Sequence, residues 1–495
     1  MLAVVSVAVR LPQLLSANLL LEGDECIVGL MGLHILRRHE FPFFMYGQRY
    51  GLAIAEAPAA AIAFALSGAG AVPLKLAILA LWITGLAFYF LGFSRVLGAA
   101  RSFWLTLLLS VMPAWATTSM KAWSGYVTAF TLAGVAIWLV TGGGTRRSAH
   151  WLAAGIATVA IYFAQPLWLP GLVPIVVYAL VSDPERRHWM AYGAGALGAV
   201  AGVAAIKTYG LAGEAQSWTR PAAGNPDLLA SLRPLVEQIH VALTGSYYFG
   251  ILVTPGRVTA VAGWFWVGVL GLMALVQVYR AVTRRYLAWS HVLFASVLFT
   301  IAANWILLDH RDGRYMLPLP VPLLFLAGVE FFDLADRFHV PARRWVALIV
   351  VVAAVHALAM REFAGYTFMW WTNAAGSPSE AKTLRKVVGV LRSHGVYHAY
   401  AMNALLPWTL TFYSDDTVIT RWKSADDRYP RYISAVDTAF AAGEPVAIVG
   451  YAGYTYGLER RVHEPESILV IDDKYFVYFG PDRALLQREG FRLSR

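Results

Sequence analysis

The sequence predicts a polytopic α-helical membrane protein with about eleven spans and a C-terminal α/β domain on the outer face. Charged residues make up 14% of the 495 residues, whereas a soluble protein carries roughly 25%. Several charge-free runs are about 18 residues or longer, which is enough to cross the hydrocarbon core. The composition becomes that of an ordinary soluble domain only over residues 364–495.

The formal net charge is +10. In a membrane protein this excess reflects basic cytoplasmic loops, and it does not indicate a nucleic-acid partner. The single cysteine, Cys26, excludes an internal disulfide and a multi-cysteine metal site. No Walker A motif and no nucleophile-elbow motif is present. His34 and His39 lack the spacing of a zinc site.

Residues 1–20 predict an uncleaved first helix with a cytoplasmic N-terminus, because no small-residue cleavage site follows a short apolar core. Residues 52–66 are ambiguous, because they are apolar but short. If they crossed, every later Arg-rich cluster would lie outside, so we expect them at the outer interface. The remaining predicted spans are 72–92, 102–120, 123–141, 149–165, 167–181, 189–206, 258–279, 287–308, 315–332 and 345–360.

We expect two domains. Residues 1–363 form the transmembrane catalytic domain, with a first outer loop at 21–72 and a second large outer loop at 209–257. Residues 364–495 form a periplasmic α/β domain that starts with a helix at 379–394. Its predicted strands are 396–402, 409–413, 446–449, 468–471 and 475–479.

Acidic and basic side chains are predicted together at the outer surface. The positive-inside rule explains the cytoplasmic arginines but argues against outer cations. The residues concerned are Asp24, Glu25, Glu56, Lys121, Arg257, Asp309, His310, Arg311, Asp312 and Arg314. Such a set suits a reaction on a lipid-linked phosphate.

Each of these residues has a structural alternative. Asp24 precedes a helix, so it is either catalytic or an N-cap. Glu25 supports Asp24, binds a metal, or favours the helix dipole. Lys121 either snorkels or binds the donor phosphate. Glu56 is either a site residue or a polar-face residue.

The segment 309–315 is either a solvated turn with self-paired charges or a phosphate site. In the second case Arg311 or Arg314 binds the phosphate, because a guanidinium group can donate two parallel hydrogen bonds to two phosphate oxygens. The aromatic residues Phe43, Phe44, Tyr46 and Trp123 are typical of the interfacial belt, and one of them could instead stack on a sugar.

At this point the chain resembles the GT-C superfamily of polyprenyl-phosphate-sugar-dependent glycosyltransferases, in the protein O-mannosyltransferase and lipid A aminoarabinose transferase group (glycosyltransferase family 39-like). The matching segments are Asp24-Glu25, EFPFFMYGQRYG at 40–51, Ala55-Glu56-Ala57-Pro58 and Arg314-Tyr315-Met316-Leu317-Pro318. The layout is similar too, with a first outer loop of two interfacial helices and an outer C-terminal domain. The resemblance covers roughly residues 1–360 and leaves the C-terminal domain unassigned beyond α/β.

The resemblance implies an inverting transfer from a lipid-phosphate-linked sugar to an acceptor hydroxyl. Asp24 would be the general base or would help to hold a cation, and Glu25 is the second expected catalytic residue. The residues expected on the donor and its phosphate are Arg314, Arg311, Lys121, Tyr315 and His310. Those expected elsewhere on the substrate are Glu56, Gln48 and Tyr46.

No cofactor is specified, although a divalent cation held by Asp24 and Glu25 stays open. The expected partners are a polyprenyl-phosphate-linked sugar, a lipid, glycan or protein acceptor, and the bilayer. The expected location is the bacterial inner membrane, with the C-terminal domain periplasmic. The alternatives are a lipid-linked-oligosaccharide ligase or polymerase, a lipid or sugar transporter, which would favour midplane charges and internal repeats, and a non-catalytic membrane scaffold.

Overall fold

The structure is a computed structural model, and it describes residues 1–16, 19, 21–48, 50–123, 125–142, 147–208, 231–248, 251–252, 256–307, 313–363, 380–424, 428–454, 458 and 467–493. Helices dominate the first 363 residues, and a small mixed sheet follows them. The predicted class is confirmed at this level.

The first helix is interrupted, which corrects the continuous helix predicted over 1–20. It consists of α1 (Leu2–Ala8) and α2 (Leu11–Leu14). Arg10 lies at the break and is buried. Its guanidinium donates to Ser119 Oγ at 2.6 Å and to the carbonyl oxygen of Ser110 at 3.1 Å. A buried cation therefore has its hydrogen bonds satisfied within the bundle, as burial requires.

Two helices follow in the first loop. They are α3 (Gly23–Arg38) and α4 (Glu56–Ser67), and they pack against each other. A Cβ atom at Gly32 would lie 2.9 Å from the Cβ of Ala60, so the glycine permits this close approach. The predicted short apolar element at 52–66 is therefore a helix, although it begins four residues later.

The remaining helices of the membrane part follow the predicted spans with shifted ends, except for one helix in the second large loop. They are α5 (Ala71–Leu97), α6 (Ala99–Val111), α7 (Tyr126–Val140), α8 (Ser148–Ala164), α9 (Leu169–Val181), α10 (Arg186–Thr208), α11 (Leu232–Thr244), α12 (Arg257–Val282), α13 (Ala288–Leu307), α14 (Pro320–Arg337) and α15 (Ala342–Arg361). The second large loop was predicted without structure, but it contains α11 and a short antiparallel pair, β1 (Tyr247–Tyr248) and β2 (Ile251–Leu252).

Within the described part of the chain, five helices are long and apolar enough to cross a membrane, namely α5, α10, α12, α13 and α15. A sixth candidate is α6 together with residues 113–120, which are bent by 59°. The bend follows from Pro113, because the residue before a proline is pushed out of the helical region. The helices α7, α8 and α9 are shorter, so the count of about eleven spans stays a prediction.

The C-terminal domain is an α/β unit. Its elements are α16 (Glu380–Ser393), β3 (His398–Ala401), α17 (Leu406–Tyr413), β4 (Ile419–Arg421), α18 (Pro430–Ala441), β5 (Val446–Tyr451), β6 (Ile468–Ile471), β7 (Tyr475–Phe479) and α19 (Arg483–Arg488). The sheet order is β4-β3-β5-β7-β6. The first three strands in this order are parallel, and β7 is antiparallel to both of its neighbours.

The strand predicted at 409–413 is wrong, because these residues belong to α17. Leu406 and Leu410 lie in the core of the C-terminal domain, whereas Trp408 and Phe412 lie in the core of the membrane part. A helix buried on two sides shows the apolar pattern of a buried strand, and periodicity alone does not separate the two.

The helix α17 joins the two parts of the protein by packing on α3. A Cβ atom at Gly23 would lie 2.7 Å from the Cβ of Leu405, and one at Gly29 would lie 2.4 Å from the ring of Phe412. The backbones therefore approach closely. Consequently the C-terminal domain lies directly against the first turn of α3, where Asp24 is found. We call this side of the bundle the α3 end.

Candidate functional site

Asp24 lies in the first turn of α3, but it is not the N-cap, because Glu22 holds that position. The Asp24 carboxylate accepts a hydrogen bond from Nη1 of Arg428, with 2.8 Å between Nη1 and Oδ1. The two side chains are 16% and 20% exposed, so the pair is reached by solvent from one side. The capping alternative is therefore wrong, and Asp24 instead faces a cation from the C-terminal domain.

Tyr50 connects Asp24 to the other predicted part of the site. Burial raises the pKa of the Tyr50 phenol, and the negative charge of Asp24 raises it further. The positive charges of Arg428 and Arg314 oppose this rise. The electrostatic interaction between two groups weakens with distance, so a charge shifts the pKa of a phenol noticeably only when it lies nearby. Asp24 and Arg314 are therefore both within electrostatic range of Tyr50, although 290 positions separate them along the chain.

Arg314 lies in a 3-10 turn, Gly313–Met316, that precedes α14. Its Nη2 donates to the Tyr315 hydroxyl at 3.3 Å, and its guanidinium lies 5.9 Å from the centre of the Trp123 ring. A Cβ atom at Gly313 would lie 2.8 Å from the side chain of Val241 in α11. The predicted second loop thus supports the turn that carries Arg314.

Two buried ion pairs lie beside these residues. Lys75 pairs with Glu25, and both side chains are fully buried. Lys121 pairs with Glu22 at 3.2 Å, and its ammonium lies 4.0 Å from the centre of the Trp123 ring. The ammonium of Lys121 is therefore neutralised inside the protein and does not snorkel, whereas the alternative that it binds the donor phosphate stays a prediction.

Glu25 and Asp24 point to different partners, which bears on the open question of a divalent cation. Glu25 accepts hydrogen bonds from Lys75 and from the backbone N–H of Ala122, whereas Asp24 is bonded to Arg428. Among the described residues, no group of three or more histidine, cysteine, aspartate or glutamate side chains is arranged so that it could hold a metal ion. This arrangement does not fit a metal held by Asp24 and Glu25, and we derive no step through one.

Glu56 is the first residue of α4, and its buried carboxylate lies at the N-terminus of α7. Its Oε1 accepts hydrogen bonds from the backbone N–H of Gly125 at 2.9 Å, and from the N–H and hydroxyl of Thr128 at 3.2 and 3.1 Å. A carboxylate is favourable there, since the first N–H groups of a helix lack partners within the helix. The structure therefore gives Glu56 a role in fixing α4 to α7, rather than one on an exposed polar face.

Tyr46 takes part in the contact between the domains. Its hydroxyl lies 2.8 Å from His34 Nδ1, and its ring stacks on Tyr429 at 4.6 Å. The other ring nitrogen of His34 lies 3.0 Å from the Tyr432 hydroxyl. Gln48 is half-buried in the same loop. The predicted belt residues Phe44 and Trp123 are buried as well. A buried histidine with two tyrosine partners is a docking element.

Arg311 and His310 lie outside the described residues, together with Asp309 and Asp312. Of the residues that sequence reasoning missed, Tyr50 belongs to the resembling segment 40–51 and could have been found there. Arg428 carried no signal, because it lies 404 positions from Asp24 in a domain without an assigned resemblance.

Solved structures share this helical bundle with two first-loop helices and a C-terminal α/β domain, which confirms the fold that the resemblance implies. Two crystal structures of ArnT from Cupriavidus metallidurans share it. The apo structure gives a TM-score of 0.60 at 15% identity, covering 97% of this chain and 99% of ArnT. The structure bound to undecaprenyl phosphate gives 0.61 at 14% identity, covering 97% and 98%.

A more distant match is the apo oligosaccharyltransferase from Archaeoglobus fulgidus. It gives a TM-score of 0.50 at 11% identity, covering 92% of this chain and 70% of the oligosaccharyltransferase. No protein-family model matches the sequence, and no curated protein matches it either. At these identities the comparisons show the fold, and the activity has to be argued from the site.

Proposed function

We propose that the protein is a glycosyltransferase of the bacterial inner membrane that moves a sugar from a polyprenyl phosphate to an acceptor hydroxyl. The observation that carries this proposal is that Arg314 lies 5.9 Å from the Trp123 ring, whose indole N–H donates to Glu22, two residues before Asp24. The charges of Asp24 and Arg314 also both act on the Tyr50 phenol. The ArnT structure with bound undecaprenyl phosphate supports the donor class, because it has the same fold. With the N-terminus cytoplasmic, the α3 end and the C-terminal domain face the periplasm.

The roles of the two residues follow from the charges that the reaction creates. The acceptor oxygen attacks the anomeric carbon, the bond from that carbon to the phosphate oxygen breaks, and the lipid phosphate leaves with the bonding electrons. Asp24 takes the proton of the acceptor hydroxyl, which contributes roughly 10²–10⁴ in rate. Arg314 stabilises the phosphate as its negative charge develops. Attack opposite the leaving phosphate inverts the anomeric centre.

The position of the site suits a donor that stays in the bilayer. Arg314 lies in the turn six residues before the start of α14, and Asp24 lies at the start of α3. A polyprenyl tail lies among the membrane helices while its phosphate remains at the level of these two residues. Tyr315, which is half-buried and flanks the Arg314 guanidinium, provides an aromatic face on which a sugar can stack.

The first prediction concerns the donor phosphate. Arg314→Ala should weaken binding of undecaprenyl phosphate about 10- to 100-fold, because a hydrogen bond to a charged group contributes roughly 1.5–3 kcal/mol. Binding is measured as ligand-induced thermal stabilisation of the full chain in detergent. Undecaprenol, which lacks the phosphate, is the ligand control and should stabilise both proteins equally.

Arg343→Ala is the matched control variant, because Arg343 is an exposed cation at the start of α15. It should bind undecaprenyl phosphate like the unaltered protein. If Arg314→Ala binds the phosphate lipid as tightly as Arg343→Ala does, Arg314 has no role in phosphate recognition.

A further inference from the structure

Arg428 is the point at which the C-terminal domain reaches the proposed site. It lies two residues before α18, and its guanidinium donates to Oδ1 of Asp24 at 2.8 Å. Within the part of the chain that the structure describes, Oδ2 of Asp24 accepts no hydrogen bond. One oxygen is thus fixed by the domain, while the other is available to a substrate.

The first loop is shaped around the stem of Arg428. Gly47 has φ +71°, and a Cβ atom there would lie 2.5 Å from Cγ and 2.7 Å from Cα of Arg428. The guanidinium also lies 3.9 Å from the sulfur of Met45. Any side chain at position 47 would displace Arg428, and a positive φ favours glycine there. The geometry of the loop therefore sets where the guanidinium lies.

Other ion pairs hold the C-terminal domain on α3 without touching Asp24. Arg37 donates to both carboxylate oxygens of Asp415 at 2.7 Å. Further along, Arg431 pairs with Glu40. The partners in the C-terminal domain, Asp415 and Arg431, lie before and after Arg428 in the sequence. The docking of the domain and the orientation of Asp24 can therefore be separated by substitution.

We propose that Arg428 is a positioning residue for Asp24, which makes the C-terminal domain a structural part of the transfer site. A charge-assisted bond to Oδ1 selects one orientation of the carboxylate, and Oδ2 then faces the acceptor hydroxyl. A misplacement of about 1 Å in a reacting group can cost about 10²-fold in rate. This inference rests on the proposed function, because it assigns Arg428 an effect through the proposed base.

Arg428→Gln should lower kcat about 10- to 100-fold, while KM for the donor and binding of undecaprenyl phosphate change less than about threefold. Arg428→Lys should recover part of the loss, because it keeps the charge but not the forked geometry. The assay follows release of undecaprenyl phosphate from a panel of radiolabelled undecaprenyl-phosphate sugars by the full chain in liposomes. The matched controls Arg431→Gln and Arg37→Gln should keep the unaltered rate.

Gly47→Ala is a second route to the same test if Arg428→Gln does not fold. It keeps every charge but moves the stem of Arg428, so it should also lower kcat without changing donor binding. An unchanged kcat in the folded variants overturns the inference, as does an equal loss in Arg431→Gln. If Asp24→Asn is inactive while Arg428→Gln is fully active, the inference alone fails. If Asp24→Asn is fully active, the proposed function fails.

Discussion

Asp24→Asn is expected to lower kcat for sugar transfer by a factor of roughly 10²–10⁴ or more. An amide does not accept the proton of the acceptor hydroxyl, so the attacking oxygen keeps its proton in the transition state. The fold should persist, because asparagine has the same shape and its carbonyl oxygen still accepts the bond from Arg428. Binding of undecaprenyl phosphate should also persist, since the proposed phosphate ligand is Arg314.

The rate is measured as release of undecaprenyl phosphate in liposomes, at matched protein amounts. Asp415→Asn is the control, because it also removes a carboxylate from an ion pair with an arginine, but at an exposed position away from Asp24. It should retain the unaltered rate. If Asp24→Asn transfers sugar as fast as Asp415→Asn does, Asp24 is not the base.

Lys75→Met is expected to destabilise the protein by about 3–5 kcal/mol, because it leaves Glu25 buried without its cation. Glu25 retains its bonds from the N–H groups of Glu22 and Ala122, both at 3.3 Å. These dipoles do not replace a full positive charge in a low-dielectric interior. Since Glu25 lies next to Asp24 in the first turn of α3, the same change should loosen the proposed site.

The measurement is the apparent melting temperature of the full chain in detergent. The double variant Lys75→Met with Glu25→Met should recover part of the loss, because no charge is then left unpaired. Arg101→Gln, which breaks the partly exposed pair with Asp336, should change the melting temperature little. A melting temperature for Lys75→Met equal to that of Arg101→Gln would show that the buried pair contributes no stability.

The sequence predicted the helices of the membrane part well because long apolar runs have few alternatives in a bilayer. It failed where a helix end depends on a side chain from elsewhere. The first helix was expected to be continuous over residues 1–20, but it breaks at Arg10, whose guanidinium donates to carbonyl and hydroxyl groups of residues 110–119. The helix at Leu406–Tyr413 was mistaken for a strand because both of its sides are buried.

The candidate site was predicted only in part, and the reason is again tertiary. A carboxylate at a membrane surface is unusual in any sequence, so Asp24 could be singled out. Lys121 is likewise a charged residue predicted at the membrane surface, yet its ammonium is buried and pairs with Glu22. Arg428 looks like any arginine of a soluble domain, and only the docking of that domain on α3 places it against Asp24.

The most direct test of the central claim is a cryo-EM structure of the full chain with undecaprenyl phosphate bound. We predict that the phosphate contacts the Arg314 guanidinium at the α3 end, on the same side of the bundle as Asp24, with the polyprenyl tail among the membrane helices. A phosphate bound at the opposite end of the bundle, or out of reach of both Arg314 and Asp24, would contradict the proposed sugar transfer.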